Sequence, residues 1–192
     1  MLTAPFLVAS GLLVVSGMAK VFRPGSGSRS LRDAGLPGPP WAVRLLGTVE
    51  VVVGGGAAVR PSGPAAAAVA LLYTGFAAFL VWLVRTGSAR SCGCMGSREV
   101  PASWLHAALD LAAGTTAAAV SIRPVAGLGP IVTASPARGA VVVAGLAAAG
   151  ALAVAVVAEV PGALAAYRRG GHRHEEETPG IRTLSLVRRP GR

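Results

Sequence analysis

The sequence predicts an all-α, polytopic membrane helical bundle, and three observations predict it. Hydrophobic residues make up 53% of the 192-residue chain and charged residues only 14%, with a mean hydropathy of +0.60. Five runs are free or nearly free of charge, each about the length of the roughly 20-residue helix that crosses 30 Å of hydrocarbon. The basic residues gather between alternate runs, as they do where short loops face the cytoplasm.

The elements follow in order. Pro5 to Ala19 is uncharged and closes at Lys20. No basic segment precedes it, so it reads as a retained helix over about 4–22 rather than a cleaved signal peptide. The next stretch, R-P-G-S-G-S-R-S-L-R-D-A-G-L-P-G-P-P, is rich in Gly, Pro and Ser and reads as an irregular loop. A second helix at about 41–59 carries Arg44 and Glu50, and the tight R-P-S-G-P turn then pairs it antiparallel with a third at about 65–85. A loop holding both cysteines leads to a fourth helix at about 103–122, interrupted by His106 and Asp110. Residues 123–139 are apolar but broken by Pro124, Pro130 and Pro136, too often for another span, and read as an interfacial segment. A fifth transmembrane helix is expected at about 140–160. The membrane domain then covers 1–165, and 166–192 reads as a disordered, basic cytoplasmic tail.

With five spans, the N-terminus and the second and fourth loops share one side. That side holds Arg60, Arg123 and Arg138, and the other holds the remaining fifteen of the eighteen Lys and Arg. The charge rule therefore puts the N-terminus outside, and the C-terminus and cysteine loop in the cytoplasm. Abundant Ala, Gly, Val and Arg with a single Lys points to a GC-rich bacterial genome. The net charge of +10 orients the chain and meets anionic lipid; without an aromatic-basic platform it does not indicate nucleic acid. Small residues (Gly47, Gly54 to Gly56, Gly75, Gly145, Gly150) mark faces where helices approach closely, unless they only reflect genome composition.

The polar residues inside the spans are Glu50, His106 and Asp110. A carboxylate in hydrocarbon persists when it faces the bundle interior with a partner. His106 and Asp110 lie one turn apart on a single helix face. Should that face meet Glu50, the three form an internal cluster, either a proton relay or a set of hydrogen-bonded helix ties.

Cys92 and Cys94 are the two cysteines of the chain, set in S-C-G-C-M-G-S. Three readings stand beside each other: partial metal ligation, coincidence, and reversible thiol-disulfide chemistry. No metal site is expected, because no further cysteine exists and the nearest histidine is His106. A disulfide closed across one residue is a small strained ring, hence labile and oxidising. Gly93 gives the backbone freedom to close it, and Arg90 and Arg98 favour the reactive thiolate. His172 and His174 form H-x-H in the tail and read as part of a solvated segment.

Several stretches together resemble the MauE family, bacterial inner-membrane proteins within the wider DoxX-like group. These are G-M-A-K-V-F-R-P at 17–24, G-L-P at 35–37, L-L-G-T-V-E-V-V-V-G-G at 45–55 and S-C-G-C-M-G at 91–96. The likeness runs to about Ile122, and the fifth helix fits only in kind. Met95 stands where the family often has Phe, and Leu105-His106 where an Arg-Asn pair is common. The resemblance implies a four-helix MauE/DoxX-like core and a redox-associated role. The family is implicated in maturing the disulfide-rich small subunit of methylamine dehydrogenase, a secreted client, alongside a thioredoxin-like partner. It implies Cys92 and Cys94 as the exchanging pair, with thiol-disulfide oxidoreductase activity, and Glu50 as the acidic residue shared across the group. A client maturing outside conflicts with a cytoplasmic cysteine loop. A quinone or second protein completes the route, or the topology is inverted, or the loop dips into the membrane. Two further readings are a small transporter or channel using Glu50 and Asp110, and a non-redox assembly scaffold.

Overall fold

A computed structural model of the chain describes residues 2–86, 103–123, 125–135 and 137–142, together with 144, 145, 148, 150 and 152. Cys92 and Cys94, most of the expected fifth helix and the tail lie outside the described residues. Six helices are seen among them: α1 (Thr3–Phe22), α2 (Gly25–Asp33), α3 (Pro40–Val59), α4 (Gly63–Thr86), α5 (Trp104–Ile122) and the short α6 (Gly129–Ala134). Of these, α1, α3, α4 and α5 are long and apolar enough to cross a membrane. In hydrocarbon the backbone must satisfy its own polar groups, and the helix does so within each segment. The expected all-α polytopic bundle is what the chain forms, and its four spans begin and end within two residues of the sequence expectation.

Local chemistry sets the boundaries. Pro40 opens α3 behind an extended Pro39, where a missing N–H costs nothing. Ser103 caps α5, its Oγ accepting from the His106 N–H at 3.4 Å. The first loop is not irregular, as its Gly, Pro and Ser content had suggested. Its first half is α2, closed by Gly35 at φ 74°. There the Leu36 N–H bonds to the Leu31 carbonyl and the Gly35 N–H to the Arg32 carbonyl, a Schellman closure. Packing overrides the weak propensity of the sequence: Gly27 lies under Val43, Gly38 lies against the Ser28 carbonyl, and Ser28 and Ser30 are buried.

The spans pair antiparallel. α3 packs most extensively against α1, and α4 against α5, while α3 and α4 touch much less despite their short connecting turn. One cluster of Phe6, Leu13, Ala57, Val69, Tyr73 and Val120 joins all four spans. A second, of Leu80, Leu83 and Ala107, takes in Ala34 just after α2. This contact sets α2 at the end of the bundle where α4 stops at Thr86 and α5 starts at Trp104, the two borders of the cysteine-bearing segment. At the opposite end the Leu128 N–H bonds to the Ala58 carbonyl at 2.9 Å, fastening the stretch after α5 over the α3–α4 turn. Outward-facing positions are apolar, as a lipid solvent requires, with Val52, Leu71 and Ile122 among the most exposed.

Candidate functional site

The polar centre of the bundle is an ion pair. Glu50, at mid-span in α3, is wholly buried, and Lys20, near the end of α1, is 8% exposed. The Lys20 Nζ lies 2.8 Å from each carboxylate oxygen and donates a hydrogen bond to Oε2. It also donates to the Ser16 Oγ at 2.6 Å, and sits 5.1 Å from the centre of the Phe76 ring. Charge, hydroxyl and ring face thus surround an ammonium far from bulk water. Side chains on a helix lean toward its N-terminus. Lys20 stands close to the end of α1, so its stem leans back into the bundle rather than out to the headgroups.

Glycines make room for both stems. A Cβ on Gly17 would strike the Gly47 carbonyl and lie 2.9 Å from the Cβ of Glu50. A Cβ on Gly47 would lie 2.6 Å from the Gly17 carbonyl and 2.9 Å from the Cβ of Lys20. Each helix therefore carries one glycine and, three residues on, one charge, and each glycine receives the other helix's charged residue. One heptad further along, Gly54 meets the Ser10 carbonyl in the same way, at 2.6 Å from where its Cβ would be. The expectation that Gly47 and Gly54 mark a close helix contact is met here. Gly55, Gly56 and Gly75 face open space.

Around this centre, the Tyr73 hydroxyl of α4 donates to the Ala9 carbonyl of α1 at 2.7 Å, and its ring meets Phe76 edge-on at 6.4 Å. The carboxyls of Glu50 and Asp110 both lie within electrostatic reach of that hydroxyl. Asp110, on α5, is half-buried and engaged in an interaction of its own. His106 is tied locally: its Nδ1 lies 2.6 Å from the Ser103 Oγ. That hydroxyl also accepts from the His106 N–H, so one serine side chain meets both the ring and the backbone of His106. The residue to which Glu50 is bonded is thus Lys20, on a different helix from the His106 and Asp110 that the sequence offered. Among the described residues, no group of three His, Cys, Asp or Glu is arranged to hold a metal ion.

Lys20, Ser16, Phe76 and Tyr73 were not singled out from the sequence. A signal was present: G-M-A-K at 17–20 and G-T-V-E at 47–50 share one Gly-x-x-charge spacing with opposite signs. In an antiparallel pair those two tetrapeptides face each other.

A family model described as "Methylamine utilisation protein MauE" matches residues 1–126, which take in α1 to α5, the ion pair and the cysteine-bearing segment. No match was found among curated proteins or among solved structures.

Proposed function

This chain belongs to the MauE family, and on that premise we propose that it supports thiol-disulfide exchange during maturation of a partner protein, through Cys92 and Cys94. One observation carries the reading: the two cysteines stand one residue apart inside the family match, in the segment between α4 and α5 of a multi-pass membrane protein.

The chemistry balances without further reagents. A thiolate of the reduced pair attacks a disulfide of a thioredoxin-like partner, forming a mixed disulfide and releasing one partner thiolate, which takes up a proton. The second cysteine, deprotonated in turn, attacks that mixed disulfide, closing the Cys92–Cys94 bond and releasing the second partner thiol. Two electrons pass to the partner and its two sulfurs end protonated; the reverse sequence oxidises the partner. The strained small ring favours that reverse direction, in which the chain donates oxidising equivalents to the partner. A quinone is the class of acceptor that would restore the disulfide within a membrane. The distribution of Lys and Arg supports a bacterial inner-membrane location with the N-terminus outside and the cysteine segment and C-terminus in the cytoplasm. The bundle's part is to hold the borders of that segment, with Ala34, just after α2, packed against Leu80 and Leu83 of α4 and Ala107 of α5 beside it. The Glu50 carboxylate is occupied by Lys20, which favours a helix tie over an ion-carrying site.

The test is a trap. Cys94→Ser and Cys92→Ser chains, each with one thiol, are expressed and quenched with acid. One of them is expected to hold a thioredoxin-like protein in a mixed disulfide that reductant releases. If neither holds a partner and the double variant matures client protein at the normal rate, the reading fails. Labelling of intact cells with a membrane-impermeant maleimide reads the orientation, with fast labelling of Cys92 and Cys94 excluding the cytoplasmic assignment.

A further inference from the structure

The two ends of the bundle differ in a way that points to a ligand. All three tryptophans of the chain lie at one end: Trp41 at the start of α3, Trp82 near the end of α4 and Trp104 at the start of α5. They are 68%, 40% and 56% exposed, and Phe22, closing α1, is 72% exposed. Arg23, Arg29, Arg32, Arg44 and Arg85 are exposed at that same end, against a single exposed acid among the described residues, Asp33. At the other end, the exposed described cations are Arg60, Arg123 and Arg138, and no described aromatic is exposed there. Indole rings settle at the headgroup level of a bilayer, and arginine guanidinium matches phosphate with paired N–H donors. Helix α2 holds two of these arginines at the bundle end. Its far end is pinned by Ala34 in the Leu80, Leu83 and Ala107 cluster, and the Arg32 Nη1 makes a long 3.4 Å contact to the Gly38 carbonyl.

We propose that the α2 end of the bundle is a docking surface for anionic phospholipid headgroups, with the exposed tryptophans fixing the headgroup plane and the α2 arginines taking the phosphates. The occupant is lipid rather than a protein because the exposed cations share one end of the bundle with exposed aromatics, where apolar helix faces meet water. This surface does not depend on the cysteine chemistry, and its failure would leave that chemistry untouched.

The full chain is reconstituted in nanodiscs, and the immobilised fraction of spin-labelled phosphatidylglycerol is compared with that of spin-labelled phosphatidylcholine. Each basic residue near a charged headgroup contributes at most roughly a fivefold preference. The unaltered chain is therefore expected to favour phosphatidylglycerol by about threefold or more. That preference should fall several-fold in an Arg23→Gln, Arg29→Gln, Arg32→Gln variant and approach one at about 0.5 M salt, where screening is short-ranged. An Arg60→Gln, Arg123→Gln variant should keep it. Lipids brominated near the headgroup should quench tryptophan fluorescence more than lipids brominated deep in the chain, in both variants, which also shows that both insert correctly. Equal retention of the two lipids overturns the proposal and leaves the arginines to a protein partner. So does equal loss from the opposite-end variant, or stronger quenching by the deep bromines.

Discussion

The two helix pairs of the bundle solve the same problem differently. In α1–α3 the backbones approach so closely that Gly17, Gly47 and Gly54 have no room for a Cβ, and the gap admits a buried Lys20–Glu50 pair. In α4–α5 the one comparable residue is Gly114, where a Cβ would meet Tyr73 and Thr74 side chains at an ordinary 3.4 Å. The remaining contact is built from Ala, Val and Leu. Without a hydrophobic force between helices in lipid, association rests on close packing and polar contacts. The first pair uses both to the full and the second mostly packing, so substitutions should separate them.

The largest effect should come from removing one charge of the pair. Lys20→Met leaves the Glu50 carboxylate buried without its cation, and a loss of about 3–5 kcal/mol is expected. Thermal unfolding in detergent reads it. Lys20→Met combined with Glu50→Leu should recover most of that loss, because two apolar side chains replace a desolvated pair at little cost. A double variant no better than the single one would show that the charges do more than satisfy each other.

Next comes Gly17→Ala, whose new methyl meets a backbone carbonyl that cannot turn aside. About 1–3 kcal/mol is expected, at the upper end if the helices must part. Tyr73→Phe, which frees the Ala9 carbonyl from its second donor, should cost about 0.6 kcal/mol and no more than about 1.7. Smallest is Gly114→Ala. Its contact distance is tolerable and alanine favours the helix by about 1 kcal/mol, so the net change should lie within a few tenths of zero or be stabilising. Equal losses from Gly17→Ala and Gly114→Ala would erase the distinction between the pairs.

The same contrast explains what could be read from the sequence. Span boundaries were legible because charge-free runs of bilayer length have few other uses, and Glu50 was legible as a buried acid for the same reason. Its partner was not. Lys20 ends an apolar run, where a lysine ordinarily marks the interface, and only the lean of its stem back into the bundle puts the ammonium beside α3. His106 and Asp110 drew attention by lying one turn apart, yet His106 is committed to Ser103 at its own helix start. Helix α2 was hidden because S-G-S-R-S has the composition of a loop. What holds it as a helix is contact of Gly27 with Val43, and of Ala34 just beyond its end with Leu80 and Leu83, residues distant in the chain. Cys92 and Cys94 lie outside the described residues, and their candidacy rests on spacing and setting.

The facing glycines also bear on how the protein enters the bilayer. Leaving the translocon alone, α3 would carry an unmatched anion at mid-span, at about 2.5–3.5 kcal/mol, and α1 a cation close enough to its end to turn toward the headgroups instead. Released together as a folded hairpin, with α2 remaining at the surface between them, they enter as a neutral unit. Pairing is what turns the Lys20 ammonium inward, so α1 makes its final contacts only once α3 lies beside it.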